Sequence, residues 1–241
     1  MKYRICDIVV EIKTKSEKVI KYFSDYLYSE NLNAELVIEY SSDEISDFAK
    51  SEGVSAWIAE ITMILRDFSN FAIKEKSAIL FHSSAICVKN QAILFCAPSG
   101  TGKSTHSKLW IKNFSDVEYI NDDKPFIRKK GDDYFVYGSP WRGKHNLGNN
   151  ISAKIKAICF IERASENSIE EINALKAISG LVNQSVRVRE ENDIDKLLQI
   201  FREVITTTKI YKLRVNMKDD APISARKVIL GDIWRLKTGL F

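Results

Sequence analysis

A run of small residues leads into a lysine and a serine near the middle of the chain. Residues 97–104 read APSGTGKS, which is the spacing of a phosphate-binding loop with Ala97 in place of its first glycine. The run follows the apolar segment QAILFCA and precedes THSKLWI, so a strand should enter the loop and a helix should leave it. Backbone N–H groups and a helix N-terminus in this arrangement favour a bound phosphate. The pattern therefore predicts a nucleoside triphosphate site.

The residue types in this loop predict separate tasks. We expect the Lys103 ammonium to contact the β- and γ-phosphates and the Ser104 hydroxyl to bind Mg²⁺. ATP and Mg²⁺ are thus the predicted cofactors. The predicted nucleotide-binding residues are Ser99, Gly100, Thr101, Gly102, Lys103, Ser104 and Thr105.

Two adjacent acids follow Ser104 by 18 positions, in the segment NDDKP at the end of the predicted strand VEYIND. One carboxylate of such a pair can help to hold a metal while the other accepts a proton from an attacking hydroxyl. An Asp-Asp pair before a proline is also typical of a solvated turn. Its position after the phosphate loop favours a functional role for Asp122 and Asp123.

A cluster of turn-forming and cationic residues lies at 137–145, which reads YGSPWRGKH. Arg142 and Lys144 suit the binding of a phosphate or of a carboxylate on an acceptor, and Arg can do so with two hydrogen bonds. The alternative is a surface loop with ordinary charges, in which Trp141 is a packing anchor. The predicted substrate residues are Trp141, Arg142 and Lys144.

Four features together resemble a known family: His82 on the strand before the loop, PSGTGKST, NDDKP and GSPWRGK. They resemble the HPr kinase/phosphorylase-like branch of the phosphoenolpyruvate carboxykinase-type P-loop proteins, from about residue 78 to the C-terminus. Within that branch the chain is similar to compact kinases found beside peptide-modification enzymes, including lasso-peptide precursor kinases. The resemblance implies an α/β fold with a mixed, strongly twisted sheet and helices, Mg-ATP as donor, and in-line transfer to a Ser hydroxyl.

The resemblance also implies roles for single residues. Asp122 matches the catalytic carboxylate, and Asp123 matches its acidic neighbour near the metal. His82 matches a histidine near the phosphate site, and Arg142 matches the arginine of an Arg-Gly element. With Lys103, these residues form the predicted catalytic set: Asp122, Lys103, His82 and Arg142. The bifunctional family members continue with an Arg-Gly-Leu-Gly signature, whereas this chain reads RGKHNLGNN, which argues against phosphorylase activity and against HPr as substrate.

The expected activity is therefore transfer of the γ-phosphoryl group to a Ser hydroxyl of a peptide or small protein. A ribosomally made, lasso-type precursor peptide is the favoured substrate. One alternative is a kinase of a small molecule such as free serine. Another is a nucleotide-binding partner of a peptide-modifying complex that has no turnover of its own, although the intact Lys-Ser and Asp-Asp elements argue against it.

The composition of the chain limits the kinds of partner that we expect. The 36 basic and 32 acidic residues are spread along the chain without a basic arm, so we expect no nucleic-acid partner. No apolar run is long enough to span a bilayer, and the N-terminus reads as a strand rather than a signal peptide, which predicts a cytoplasmic protein without membrane contact. Four cysteines in apolar contexts without a C-x-x-C pair predict buried, reduced thiols. A homo-oligomer is left open.

A shift in composition near 75–78 predicts two parts, an N-terminal α/β segment (1–77) packed on a P-loop kinase core (78–241). Alternation and helical spacing of apolar residues predict the elements within them. The predicted strands are 3–12, 34–40, 78–88, 91–97, 117–122, 154–163 and 209–215, with a hairpin at 124–141. The predicted helices are 16–30, 41–53, 55–73, one after the phosphate loop, 169–185, 191–208 and 224–239.

Overall fold

Two separate β-sheets, each with helices packed against it, make up the structure, a computed structural model that describes residues 1–185 and 191–231. The smaller sheet lies entirely before residue 77 and the larger sheet entirely after it. The chain is therefore a mixed α/β protein, as predicted.

A three-stranded sheet forms the first part of the chain. Strands β1 (Lys2–Ile5) and β2 (Ile8–Lys13) pair antiparallel, and β3 (Leu36–Glu39) runs parallel to β2. The single strand predicted at 3–12 is wrong, because the chain reverses at Cys6 and Asp7, whose φ angles are 53° and 57°. Neither position holds the Asn-Gly or Asp-Gly pair that usually marks such a turn.

Three helices complete the N-terminal segment: α1 (Glu17–Tyr22), α2 (Ser42–Glu52) and α3 (Ala56–Lys76). Ser41 and Glu44 form a reciprocal capping box at the start of α2, and Gly53 ends that helix with a φ of 64°. The helix predicted at 16–30 is too long. It ends at Tyr22, and a 3₁₀ turn follows at Ser24–Tyr26, which places the rings of Phe23 and Tyr26 in the core.

The other nine strands form a curled mixed sheet. Along its main path the order is β4 (Ala78–Leu80), β8 (Phe126–Lys130), β9 (Asp133–Tyr137), β10 (Ser152–Arg163), β6 (Gln91–Cys96), β5 (Ser84–Val88) and β7 (Val117–Asn121). Strand β12 (Lys209–Val215) also pairs with β10, and β11 (Ser168–Glu171) pairs with β12. Lys89 and Asn90 form the tight turn between β5 and β6, and both have positive φ.

Four helices pack on this sheet: α4 (Lys103–Asn113), α5 (Ala174–Gln184), α6 (Glu191–Thr207) and α7 (Ala221–Leu230). The helix predicted at 169–185 is wrong in its first part, because 168–171 pair with β12 and Asn173 then caps α5. The strand predicted at 78–88 is interrupted at 81–83, where the chain passes from β4 to β5. The last predicted helix starts earlier than expected and reaches Leu230, and its extension over 232–239 lies outside the described residues.

The strand directions bring several sequence motifs to one edge. Strands β6 and β12 run parallel to β10, and β5 runs antiparallel to both β6 and β7. The carboxyl ends of β6, β7, β10 and β12 therefore share an edge, together with the beginning of β5. In α/β sheets this is the edge at which ligands bind.

Apolar packing continues across residue 77. One cluster of buried side chains combines strands β1 and β2 and helix α3 with residues of the main sheet, among them Phe126, Tyr137 and Trp141. At its centre the Phe68 ring meets Phe126 edge-on, with centroids 5.3 Å apart. The four cysteines are buried and free of disulfides, as predicted. Within 1–185 and 191–231, no helix combines the length and apolar character needed to cross a membrane.

Replacing Phe68 with Ala should lower the free energy of unfolding by about 3–5 kcal/mol, because it leaves a cavity at a fully buried position. Since the cluster spans both parts of the chain, one cooperative transition should shift as a whole. Urea titrations followed by circular dichroism measure this. The control is Leu175→Ala at a residue that is 73% exposed, which should change the free energy by less than about 0.5 kcal/mol. Two separate transitions in the Phe68→Ala variant would contradict the shared core.

Candidate active site

The predicted phosphate loop connects β6 to α4 at the shared carboxyl edge. Gly100 and Gly102 have φ angles of 78° and 123°, which residues with a Cβ rarely adopt. A Cβ on Gly102 would also lie 2.5 Å from the terminal methyl of Met217, which can move aside, so the backbone angle is what requires glycine here. Ser99 and Thr105 are exposed, and Thr101 and Ser104 are half-buried. The loop thus leaves its outer side open to a ligand.

Lys103 begins α4 and is only 8% exposed. Its Nζ donates a hydrogen bond to the Ala97 carbonyl at 2.8 Å, so the side chain folds back over the loop. Burial lowers the pKa of Lys103, and the nearby carboxylates of Asp122 and Asp123 oppose that shift. The ammonium and both acids therefore lie within electrostatic reach of one another.

Asp122 is buried directly after β7, beside the first turns of α4. The Ser84 hydroxyl donates to its Oδ1 at 2.7 Å, and Ser107 Oγ lies 3.4 Å from the same oxygen. The two hydroxyls are 2.8 Å apart. Ser107 also bonds to the carbonyl of Lys103, so Asp122 is fixed to the helix that carries the loop lysine.

Asp123 points to a different set of neighbours. Its Oδ1 lies 3.3 Å from His82 Nε2, and its Oδ2 forms an ion pair with the Lys124 ammonium. Burial would raise the pKa of Asp123, but the hydrogen bonds and charges of His82 and Lys124 outweigh it and hold the pKa below its ordinary value. The two adjacent carboxylates thus occupy contrasting environments, Asp122 beside two hydroxyls and Asp123 beside a histidine and a lysine.

Asn121 sets the turn that separates the two acids. Its fully buried side-chain oxygen accepts hydrogen bonds from the backbone N–H groups of Asp123 and Lys124, at 2.8 and 2.7 Å. Its Nδ2 donates to the carbonyl of Ser139 at 3.0 Å and lies 3.1 Å from the Ser139 hydroxyl. The amide therefore connects the acid pair to the segment that leads into Trp141 and Arg142.

The 138–149 segment packs closely on this turn. A Cβ on Gly138 would lie 1.9 Å from the Asn149 carbonyl oxygen, so only glycine fits there. Gly143 has a φ of 69° and lies against the Asp123 side chain, where its own Cβ would be 3.0 Å from that of Asp123. The Arg-Gly element of the sequence is thus in contact with the acid pair.

Arg142 is buried and turned toward the N-terminal segment. Its Nη1 donates to Asp25 at 2.7 Å, and its guanidinium carbon lies 5.4 Å from the centre of the Tyr26 ring. Tyr22, on the same segment, has its pKa raised to about 12 by burial and by the Asp123 charge, an effect that Arg142 opposes. The first 77 residues therefore form one side of the site.

The other two predicted substrate residues lie in unlike places. Trp141 is 4% exposed, donates to the Ile61 carbonyl at 3.1 Å and packs against Phe23, Phe68 and Phe126. It anchors the segment to the N-terminal part. Lys144 is exposed three residues further along the chain. The structure brings Lys103, Asp122, Asp123 and His82 together, with Gly143 against Asp123, and it places the Trp141 ring in the core.

Arg163 is a loop contact that the sequence patterns do not assign. It ends β10, which extends three residues past the pairing of Phe160 with Cys96. Its Nε donates to the Thr101 carbonyl at 2.7 Å and its Nη2 to the Gly100 carbonyl at 3.0 Å. In the sequence, one feature indicates this contact: Arg163 is a basic residue at the carboxyl end of a strand, and that strand runs parallel to β6.

The residues around the loop suit a magnesium ion. Mg²⁺ prefers oxygen ligands and usually takes one or two carboxylates together with phosphate oxygens and water. Ser104 and Asp123 supply oxygen donors of that kind, a hydroxyl and a carboxylate. Among residues 1–185 and 191–231, no group of three or more His, Cys, Asp or Glu side chains is arranged to hold a metal ion.

Comparisons with known proteins give a distant likeness. No protein-family model matches the chain, and no curated protein matches it. One similar solved structure is the Hpr(Ser) kinase/phosphatase from Coxiella burnetii, at 9% identity and a TM-score of 0.36, covering 63% of this chain and 97% of that one. Similarity at this level does not define a function.

His106 lies on the buried face of α4 and gives the site helix a pH-dependent stability. Trp110 donates to its Nε2 at 3.0 Å, and Phe95 packs edge-on against its ring. Burial lowers the pKa of His106 from 6.5 to about 3. In the folded protein the His106 side chain therefore stays neutral down to about pH 3, whereas in the unfolded chain it binds a proton below about pH 6.5. Unfolding between these pH values takes up one proton.

His106→Gln should remove this proton uptake. The free energy of unfolding of the wild type should fall relative to that of the variant by up to about 1.4 kcal/mol for each pH unit below pH 6.5. Urea titrations across this pH range measure the difference. His145→Gln is the matched control, because His145 is exposed, and it should keep the wild-type slope. Equal slopes in wild type and His106→Gln would show that His106 titrates normally in the folded protein.

Arg163→Ala should loosen the phosphate loop, because two carbonyls lose a charged donor. Backbone ¹⁵N relaxation should show order parameters for 99–102 falling from about 0.85 toward 0.6. Arg163→Lys should be intermediate, since an ammonium cannot reproduce the planar fork of a guanidinium. Arg214→Ala on the neighbouring strand, which removes surface ion pairs with Glu162 and Glu170, is the control and should leave the loop rigid. A rigid loop in Arg163→Ala would show that the contact is incidental.

Proposed function

We propose that this protein is a Mg-ATP-dependent kinase that transfers the γ-phosphoryl group to a Ser hydroxyl of a peptide or small protein. A ribosomally made, lasso-type precursor peptide in the cytoplasm is the substrate we favour. The observation that carries the proposal is the placement of Asp122. Its buried carboxylate is fixed by Ser84 beside the first turns of the helix that carries Lys103 and Ser104.

The chain's own groups bind and orient the nucleotide. The open side of the loop offers backbone N–H groups at a helix N-terminus, and Lys103 has only to leave the Ala97 carbonyl to contact phosphate oxygens. Arg163 keeps the loop in shape by holding two of its carbonyls. Ser104 and Asp123 would hold Mg²⁺, which, when bound, neutralises charge on the phosphates.

The environments of the two acids favour Asp122 as the general base. Asp123 lies between His82 and Lys124, and its lowered pKa makes it a poor proton acceptor but a persistent negative charge. Asp122 has hydroxyls rather than cations at hydrogen-bond distance. In the transfer step the Ser oxygen forms a bond to the γ-phosphorus, the bond from that phosphorus to the β,γ-bridging oxygen breaks, and the Ser proton moves to Asp122. ADP leaves.

Arg142 and Lys144 belong to the acceptor side in this proposal. Trp141 anchors their segment in the shared core, and Gly143 brings the segment against Asp123. Arg142 is already paired with Asp25 of the N-terminal segment, so an acceptor carboxylate or phosphate would compete for the guanidinium. His82 would support the reaction by fixing the Asp123 carboxylate.

Substituting the two acids separately tests the proposal. Asp122→Asn keeps a similar shape but cannot accept a proton, so transfer to a Ser-containing acceptor peptide should fall about 10²–10⁴-fold. Binding of Mg-ATP should stay near normal in isothermal titration. Asp123→Asn should instead raise the Mg²⁺ requirement, with partial recovery at high Mg²⁺, because a carboxylate near the metal has been neutralised.

Lys103→Ala is the reference for loss of nucleotide binding, since it removes the cation directed at the phosphates. Recovery of Asp122→Asn by Mg²⁺, with none for Asp123→Asn, would exchange the two roles. Full activity of both Asn variants would exclude the mechanism, and unchanged ATP affinity in Lys103→Ala would exclude the loop as the nucleotide site.

A further inference from the structure

A cavity of about 970 Å³ lies in the N-terminal segment, between the end of β2, helix α2 and the start of α3. Apolar side chains form much of its wall, and hydroxyls and charged groups also line it. The wall includes Tyr40, Ile45, Ala49, Val54 and Trp57. Neither the phosphate loop nor the acid pair lines it, so this cavity is distinct from the candidate active site.

Glu60 is the feature of this cavity that calls for a ligand. Its side chain lines the cavity, and the residue is only 6% exposed. Within the described part of the chain, no hydrogen-bond donor or cation is paired with its carboxylate. Other buried acids do have partners, as Asp122 has Ser84. The Glu60 oxygens are not among the fully enclosed polar atoms that lack a partner in the described residues, so the carboxylate opens into the cavity, where a bound cation would pair with it.

Three lysines also line the cavity, and none of them is paired with Glu60. Lys13 pairs with Glu39 at 3.0 Å, and Lys50 lies 3.7 Å from Asp47. Lys15 is exposed to solvent. Glu60 therefore has no ion-pair partner among the described residues, although three lysines line the same cavity, and a ligand that pairs with it carries a cation at the end of an apolar stem.

We propose that this cavity binds a lysine or arginine side chain of the peptide substrate. Glu60 receives the cationic head, and Trp57, Ile45 and Val54 contact the aliphatic stem. Both side chains carry their charge at the end of a long aliphatic stem, which suits a carboxylate inside a cavity with apolar walls. That the side chain belongs to a peptide substrate rests on the proposed kinase function, whereas the binding of a cation in this cavity does not.

Aromatic contacts connect the cavity to the acceptor side of the active site. The Trp57 ring lies 6.4 Å from the Tyr22 ring, centre to centre. Tyr22 in turn is close enough to Asp123 and Arg142 for their charges to affect its ionisation. A peptide with its basic side chain in the cavity would therefore pass over Tyr22 toward the acid pair, with its Ser a short distance along the chain.

The test uses two small probes and no nucleotide. Nα-acetyl-lysinamide and its neutral counterpart Nα-acetyl-norleucinamide are titrated into ¹⁵N-labelled protein, and the indole N–H signal of Trp57 is followed. The lysine probe should bind with a dissociation constant on the order of 1 mM, as expected for a ligand of this size. The norleucine probe should bind at least about tenfold more weakly, as the loss of one charge-assisted hydrogen bond predicts.

Glu60→Gln should weaken binding of the lysine probe about tenfold and bring it close to the norleucine probe. Glu52→Gln, the same change at an exposed position of α2 outside the cavity, is the control and should bind like wild type. Equal binding of the two probes, no binding of the lysine probe by wild type, or unchanged binding in Glu60→Gln would each overturn the proposal. If Glu60→Gln does not fold, the comparison of the two probes on wild type decides.

The two proposals fail separately. Loss of Mg-ATP binding or transfer in wild type would remove the kinase function and leave the probe result standing. Glu60→Gln lies outside the nucleotide site, so it should keep wild-type affinity for Mg-ATP while losing the lysine probe. A Glu60→Gln variant that loses both would assign the residue a structural role instead.

Discussion

The buried side chain of Asn121 holds the site together. It accepts two backbone hydrogen bonds from the acid pair and donates to Ser139, so every polar group of its amide has a partner. This bonding makes the chain turn sharply after β7. The turn sends Asp122 toward α4 and Asp123 toward His82, although the two residues are adjacent. A straight continuation of the strand would have placed one of them on the wrong face of the sheet.

The same turn depends on the packing of a distant segment. Gly138 and Gly143 allow the 138–149 segment to approach the strand end and the Asp123 side chain. Trp141 holds that segment in the aromatic cluster of α3 and β8, and Arg142 bonds to Asp25. The N-terminal segment therefore holds in place the segment that packs against the acid pair.

Burial distinguishes three charged side chains, two of the candidate active site and one of the cavity, from ordinary surface ion pairs. Most ion pairs of the described chain are exposed, such as Lys13 with Glu39 and Lys112 with Asp219, and exposed pairs add little stability. Lys103, Asp122 and Glu60 are each less than a tenth exposed. Lys103 and Asp122 are satisfied by a carbonyl and by hydroxyls, whereas Glu60 has no such partner in the described residues.

The sequence alone determined what depends on neighbours in the chain. The phosphate loop between β6 and α4, the Lys89–Asn90 turn, the capping box of α2 and the buried cysteines follow from local spacing and burial preference. The position of Asp122 and Asp123 at a strand end was also predictable, since strand and turn signals are local. The turn at Cys6 and Asp7 was missed, because its residues carry no turn signature. The β11 strand was missed, because its pairing partner lies some 40 residues further along the chain.

Only the tertiary structure decided which groups meet at the site. Ser84, Ser107 and Asp122 come from three elements, Arg163 reaches a loop 62 positions earlier, and Asp25 meets Arg142 across 117 positions. Trp141 could equally have been a substrate contact or a packing anchor, and its burial among aromatic rings was visible only in the fold. Contacts between residues distant in sequence depend on how strands order themselves in the sheet and on which faces of helices pack. Spacing along the chain does not encode either of these, and so the loop could be read from the sequence but its surroundings could not.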